Sequence, residues 1–202
     1  TKPFWGAFYY ELGISYHKTG QFKKEKNLYK KADKVFPDDP SLMDQWAWLY
    51  LAAGDTVRAN QYIRRWISVR KEQSWSDARI AGYIAYIYAM ADMPDKEEEC
   101  YRLALSLDPD NPVRMNYLAD CLIDNNRNIN EGMELVEMAL SINPDNYNSL
   151  HIKGWGLFKQ GRYQEALEIL QKSWDLRRQF SIYDHKAYLH LEEAKKRVAG
   201  LI

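Results

Sequence analysis

Glycines and prolines recur along this chain at nearly constant intervals, and that spacing limits the possible folds more than any single motif does. Gly20 and Gly54 lie 34 residues apart. The cluster Leu12, Gly13, Tyr16, Gly20 and Phe22 returns near the far end as Gly154, Leu157, Gly161 and Tyr163, shifted by 141 residues. Four periods of 34 account for all but five of that shift, and the prolines locate the surplus: Pro37 to Pro109 is 72 residues, Pro109 to Pro144 is 35. Four extra residues therefore fall around Ser74 to Asp77, and one falls in the polar run Asn125 to Asn128, where a turn absorbs it. Such a chain stacks similar units, each burying an apolar face against its neighbour.

Local patterns make those units helical. Asp39-Pro40 and Asn111-Pro112 each set an N-capping side chain before a proline at the first helical position, where a missing N–H costs nothing. Between Tyr163 and Trp174 the apolar residues Ala166, Leu167, Leu170 and Trp174 recur at helical spacing. No stretch of strict alternation points to a sheet. Asp184 is placed to cap a last helix running to about Ala199, with Glu192–Lys196 and Glu193–Arg197 at the favourable i, i+4 spacing.

These residues resemble the tetratricopeptide repeat (TPR) family, whose units are 34-residue helical hairpins with a small eighth residue and a proline near the end. The resemblance covers five copies: 6–39, 40–73, 78–111, 112–146 and 147–180. Their eighth positions are Gly13, Ala47, Ala85, Ala119 and Gly154, and a later small position reads Ala32, Trp66, Ala104, Ala139 and Ser173. Trp66 departs from the pattern, as do Glu25 and Glu97 at the other small position of the second helix, which Ala59, Gly132 and Ala166 fit. The resemblance implies an all-α, right-handed superhelical solenoid of five helix-turn-helix hairpins, with residues 181–202 as a capping helix over the last apolar face.

Composition narrows the function. The 28 basic residues balance the 28 acidic ones, so no net field exists to draw nucleic acid. The apolar run Ala81 to Ala91 has 11 residues, short of the ~20 that span a membrane, so a soluble chain without membrane insertion is expected. The chain begins at Thr1 with nothing resembling a signal peptide, which reads as an excised piece or a processed form whose compartment the sequence does not reveal. Cys100 and Cys121 are too few and too far apart for a metal motif or a disulfide framework, and read as core-filling thiols.

Catalytic motifs are absent. None of His17, His151, His185 and His190 stands in a zinc-binding spacing, and His185 and His190 diverge by about 140° on one helix, which suits solvated or capping roles. There is no phosphate loop or nucleophile elbow, and Glu97-Glu98-Glu99 reads as a solvated face. Neither an enzyme nor a metal or other cofactor is expected.

What remains is positional. In the TPR family the first helices line a concave groove, and carrying its ligand-facing positions over gives Tyr10, His17 and Lys18 from the first copy, Asp44 and Trp48 from the second, and Arg79 and Tyr86 from the third. The last two copies add Asn116, Asp120, Asp124, His151, Trp155, Phe158 and Lys159. Trp48, Tyr86 and Trp155 share the ninth position, where rigid rings can grip an extended peptide or instead pack on the next helix. Relatives that clamp the C-terminal carboxylate of heat-shock chaperones use Lys and Asn where this chain has Tyr10, Ile14 and Gln45, so that ligand is not expected. The sequence leaves two readings: a non-catalytic scaffold for a protein or extended peptide, alone or as a module of a larger protein, and a structural module that assembles with copies of itself.

Overall fold

Short polar side chains start the helices. Asp39 accepts the Ser41 N–H, Asp55 that of Arg58, Asn111 that of Val113, and Asp184 that of Ala187, so each cap satisfies a backbone donor that no helical carbonyl reaches. The computed structural model describes the backbone of residues 5–201 and the side chains of residues 8–201. The ends of the first repeat copy and of the capping segment that fall beyond these bounds lie outside the described residues.

The described residues form helices and no strands: α1 Trp5–Lys18, α2 Phe22–Val35, α3 Pro40–Ala52, α4 Thr56–Glu72, α5 Asp77–Met90, α6 Pro94–Leu107, α7 Pro112–Asp124, α8 Ile129–Ile142, α9 Tyr147–Lys159, α10 Tyr163–Gln179 and α11 His185–Val198. The all-α class expected from the repeat holds. Gly20, Gly54 and Gly161 carry positive φ in the turns after α1, α3 and α9, where a Cβ would be strained. Asp92 and Asn126 hold the same conformation after α5 and α7. Aspartate and asparagine tolerate it better than other non-glycine residues, so these two turns keep the geometry without the glycine that marks the others.

The chain divides into two compact units, Thr1–Cys100 and Tyr101–Ile202. In the first, α3 packs against α1, α2, α4 and α5, and its residues from Leu42 to Leu49 are all buried. Gly13 is required by that packing: a Cβ there would lie 2.6 Å from the Tyr29 ring and 2.7 Å from Gln45 Oε1. Both departures from the small-residue pattern have structural partners. Trp66 is fully buried and stacks on Tyr83 at 4.6 Å, while Trp75, supplied by the four-residue insertion, meets it edge-on at 5.6 Å. Glu25 is fully buried too, accepting hydrogen bonds from the Tyr29 hydroxyl at 2.8 Å and from His17 Nδ1 at 3.0 Å.

In the second unit α7 pairs with α8 and α9 with α10, α9 also packs on α7 and α8, and α11 lies against α10 and α9. The core runs through Ile123, Val136, Leu150, Trp155, Leu170 and Leu191. A Cβ on Gly154 would sit 2.7 Å from Leu170 Cγ, so the small eighth residue again marks a close helix approach.

Candidate functional site

In the first unit the first-helix positions turn mostly inward. Trp48 and Asp44 are fully buried, which corrects the expectation that they face a ligand. Trp48 is enclosed by edge-on contacts with Tyr10, His17 and Tyr86, because the ninth position of α3 has aromatic helices on both sides. His17 is likewise turned into the unit. Its Nδ1 donates to Glu25, and its Nε2 lies 3.2 Å from the Met90 carbonyl oxygen. With acceptors at both nitrogens the imidazolium form is favoured, and the Glu25 hydrogen bond raises its pKa although burial opposes it. Tyr10 and Tyr86 are half-buried, and Arg79 is exposed, its guanidinium 3.6 Å from the centroid of the Trp75 ring.

Asp44 is the most unusual group there. Its Oδ2 accepts the Tyr83 hydroxyl at 2.6 Å, its Oδ1 has no partner among the described residues, and burial pushes its carboxyl up to about 7.

In the second unit the expected groove residues come together, but most are engaged by α11. Lys186 lies 3.0 Å from both Asp120 and Asp124, and these carboxylates keep it charged above the ordinary lysine range although burial acts the other way. Trp155 Nε1 donates to Asp124 at 3.1 Å. His190 stacks on the Trp155 ring and its Nδ1 lies 3.0 Å from His151 Nε2. Burial, with nearby Lys186 adding to it, lowers His151 to about 4 and His190 to about 3, so both rings are neutral in the folded chain near pH 7. Of the expected groove residues, Trp155 and Phe158 are buried in the core, and His151, also buried, lines the opening described next. His190, expected to be solvated or to cap, is corrected as well; its helix-mate His185 is exposed and meets the Tyr183 hydroxyl at 3.0 Å.

An opening of about 240 Å³ remains beside α11, between α7, α9 and the end of α10. Asn116 lines it, 7% exposed; its Nδ2 donates to Ser149 Oγ at 2.8 Å and its Oδ1 has no partner among the described residues. Arg177 lines it too, 3% exposed, with Nη2 on Asn148 and Nη1 on Asp184 while Nε has no partner among the described residues. Val113 and Tyr117 are its exposed apolar lining. Asn116 was identified from its repeat position; Arg177 was missed, because it comes from a second helix and reaches the opening only through its long side chain. No described group of three or more His, Cys, Asp or Glu residues is arranged to hold a metal, and no described helix is long and apolar enough to cross a membrane.

Paired helices with small residues at their crossings define a helical-repeat protein, and comparison with known proteins shows what it is similar to. The tetratricopeptide repeat model matches residues 7–39. A TPR repeat-containing protein of Pseudomonas aeruginosa is 25% identical over 173 residues, covering 81% of this chain but 27% of that protein. The chain thus spans about a quarter of the relative's length. Among solved structures, YrrB, described as a TPR protein with an unusual peptide-binding site, is 14% identical with a TM-score of 0.52, covering 92% of this chain and 90% of that one. The Sgt2 TPR domain from Aspergillus fumigatus is 18% identical with a TM-score of 0.53, covering 62% and 81%. The first TPR of Spaghetti, bound to an HSP90 peptide, is 17% identical with a TM-score of 0.51, covering 61% and 94%. One segment of this chain thus matches the tetratricopeptide repeat model, and the chain is similar in fold to these TPR proteins.

Proposed function

We propose that the chain is a non-catalytic scaffold that holds an extended segment of a partner protein, and that the opening beside Asn116 in the second unit is a contact point for that segment. The observation that carries this is the pair of buried, unpartnered groups in its wall. Asn116 Oδ1 is an acceptor and Arg177 Nε a donor. Buried polar groups are nearly always hydrogen-bonded in folded proteins, so an orphaned acceptor and donor on two residues that line one opening suit a ligand carrying both, reached by a small shift of these side chains. A peptide backbone offers an N–H and a C=O at every residue, and Val113 and Tyr117 add apolar area for a side chain. Two solved relatives of the same fold are described with peptides or a peptide-binding site, which supports the class of ligand.

In this reading the five hairpins keep the phases 6–39, 40–73, 78–111, 112–146 and 147–180, and residues 181–202 close the last one. No catalytic role is assigned, nor any nucleic-acid or membrane partner. Selecting a displayed random-peptide library on the immobilised chain tests the proposal. Binders whose affinity falls severalfold in Tyr117→Ala support it. Selected binders indifferent to Tyr117, or a chain that yields none and self-associates through this face, would replace it with the assembly reading.

A further inference from the structure

The first unit has a separate opening, of about 360 Å³, between α1, the end of α2 and the start of α3. Its described lining is aromatic and electron-rich. Tyr9, Tyr10, Phe36 and Tyr83 supply rings, Asp39 and Gln45 supply side-chain acceptors, and no lysine or arginine is among the described lining residues. Tyr9 and Phe36 meet edge-on at 6.2 Å.

Asp39 is the one charged side chain in its described lining, and Arg70 acts on the buried Asp44 behind it. Asp39 Oδ1 takes the Ser41 N–H at 2.8 Å, and no ion pair joins Asp39 to a cation among the described residues. Behind Tyr83 lies Asp44, fully buried, with one carboxylate oxygen unpartnered among the described residues. Burial holds its carboxyl near 7. A cation nearby would favour its ionised form. The N-terminus of α3 adds about half a positive charge, less than the full negative charge of the Asp39 side chain that caps it.

We propose that this opening is a binding site for an arginine side chain of a partner protein, the guanidinium lying on the Tyr9 and Tyr10 rings and donating to the Asp39 carboxylate. A guanidinium suits the site because it is planar, stacks on aromatic faces, is more weakly hydrated than an ammonium, and offers five N–H donors in a fixed fork. The size agrees: the opening is at the small end of ligand sites, enough for one long side chain with its flanking backbone. This goes beyond the reading of the second unit and does not depend on it, since every residue named here belongs to the first unit.

The test is calorimetric titration of the whole chain with the capped tripeptide Ala-Arg-Ala and with its citrulline counterpart, which keeps the shape and planarity but lacks the charge. The arginine peptide is expected to bind about tenfold more tightly or better, and its affinity to fall about three- to tenfold in Tyr9→Ala and in Asp39→Asn. Asparagine caps helices as well as aspartate, so Asp39→Asn removes the charge and keeps the helix start; an unchanged melting temperature verifies this. Equal affinity for the two peptides, no binding of either at millimolar concentration, or indifference to both substitutions in a folded variant would overturn the assignment. None of these outcomes bears on peptide binding by the second unit, which the Tyr117 variant reads separately.

Discussion

His190 lies face to face on Trp155, ring centroids 3.6 Å apart and planes 12° from parallel, so that α11 docks on the last hairpin through the ring a peptide was expected to grip. The same histidine shares a hydrogen bond with His151, and both rings are buried. Closing the end of the repeat and presenting a groove there draw on the same residues, and closure uses Trp155, His151, Asp120 and Asp124.

That burial makes stability depend on pH. His151 and His190 have pKa values below the ordinary histidine value of 6.5, to about 4 and about 3. As pH falls below about 6.5 the unfolded chain takes up protons that the folded chain refuses, so their contribution to stability is complete above that pH and is lost progressively towards about 4 for His151 and about 3 for His190. The melting temperature is expected to drop across that interval. In His190→Phe, which keeps a ring on Trp155 but does not titrate, the slope should be shallower by about one proton.

His17 behaves oppositely. Its pKa is raised, chiefly by the hydrogen bond to Glu25, so the stability it contributes is fully present below the unfolded value and is lost as pH rises through the folded one. In NMR titrations its ring signals should turn over above 6.5 in the wild-type chain and lower in Glu25→Gln, where the charge on the partner is gone.

Gly13→Leu is expected to destabilise the first unit by about 1–3 kcal/mol through overpacking, since even a Cβ at that position meets Tyr29 and Gln45 at under 3 Å. Chemical denaturation checks this, with the exposed turn substitution Asn126→Gly as a control expected to change little.

Trp48→Ala is a stability mutant rather than a binding mutant. The ring is fully buried, so its removal should cost roughly 3–5 kcal/mol. Trp48→Phe should cost clearly less, because it keeps most of the packing and deletes an indole N–H that has no partner among the described residues. Comparable losses in the two variants would contradict this reading of the packing.

The helices were legible because their signals are local: Asp39-Pro40, Asn111-Pro112 and Asp184 stand beside the helix starts they cap. The turn at Asn126 was found through the prolines although it lacks a glycine. The site was legible only in part. Repeat position identified Asn116, but whether a ninth-position ring meets a ligand or a helix depends on what covers it. His190 covers Trp155 from 35 residues downstream, and Lys186 reaches Asp120 across 66. No local pattern records such distances. Glu25 and Trp66 broke the small-residue pattern because their partners, His17 and Trp75, lie outside that pattern.

The central claim is that a partner segment lies on the first-helix face of the second unit. A photo-crosslinking residue placed at Val113 in α7 or at Met138 in α8 tests it most directly, since both positions are exposed, at 47% and 52%, and belong to the first and second helix of one hairpin. Irradiated with a selected peptide, the chain should form an adduct from position 113 and none from 138. An adduct from 138 alone would place recognition on the second-helix face and contradict the account.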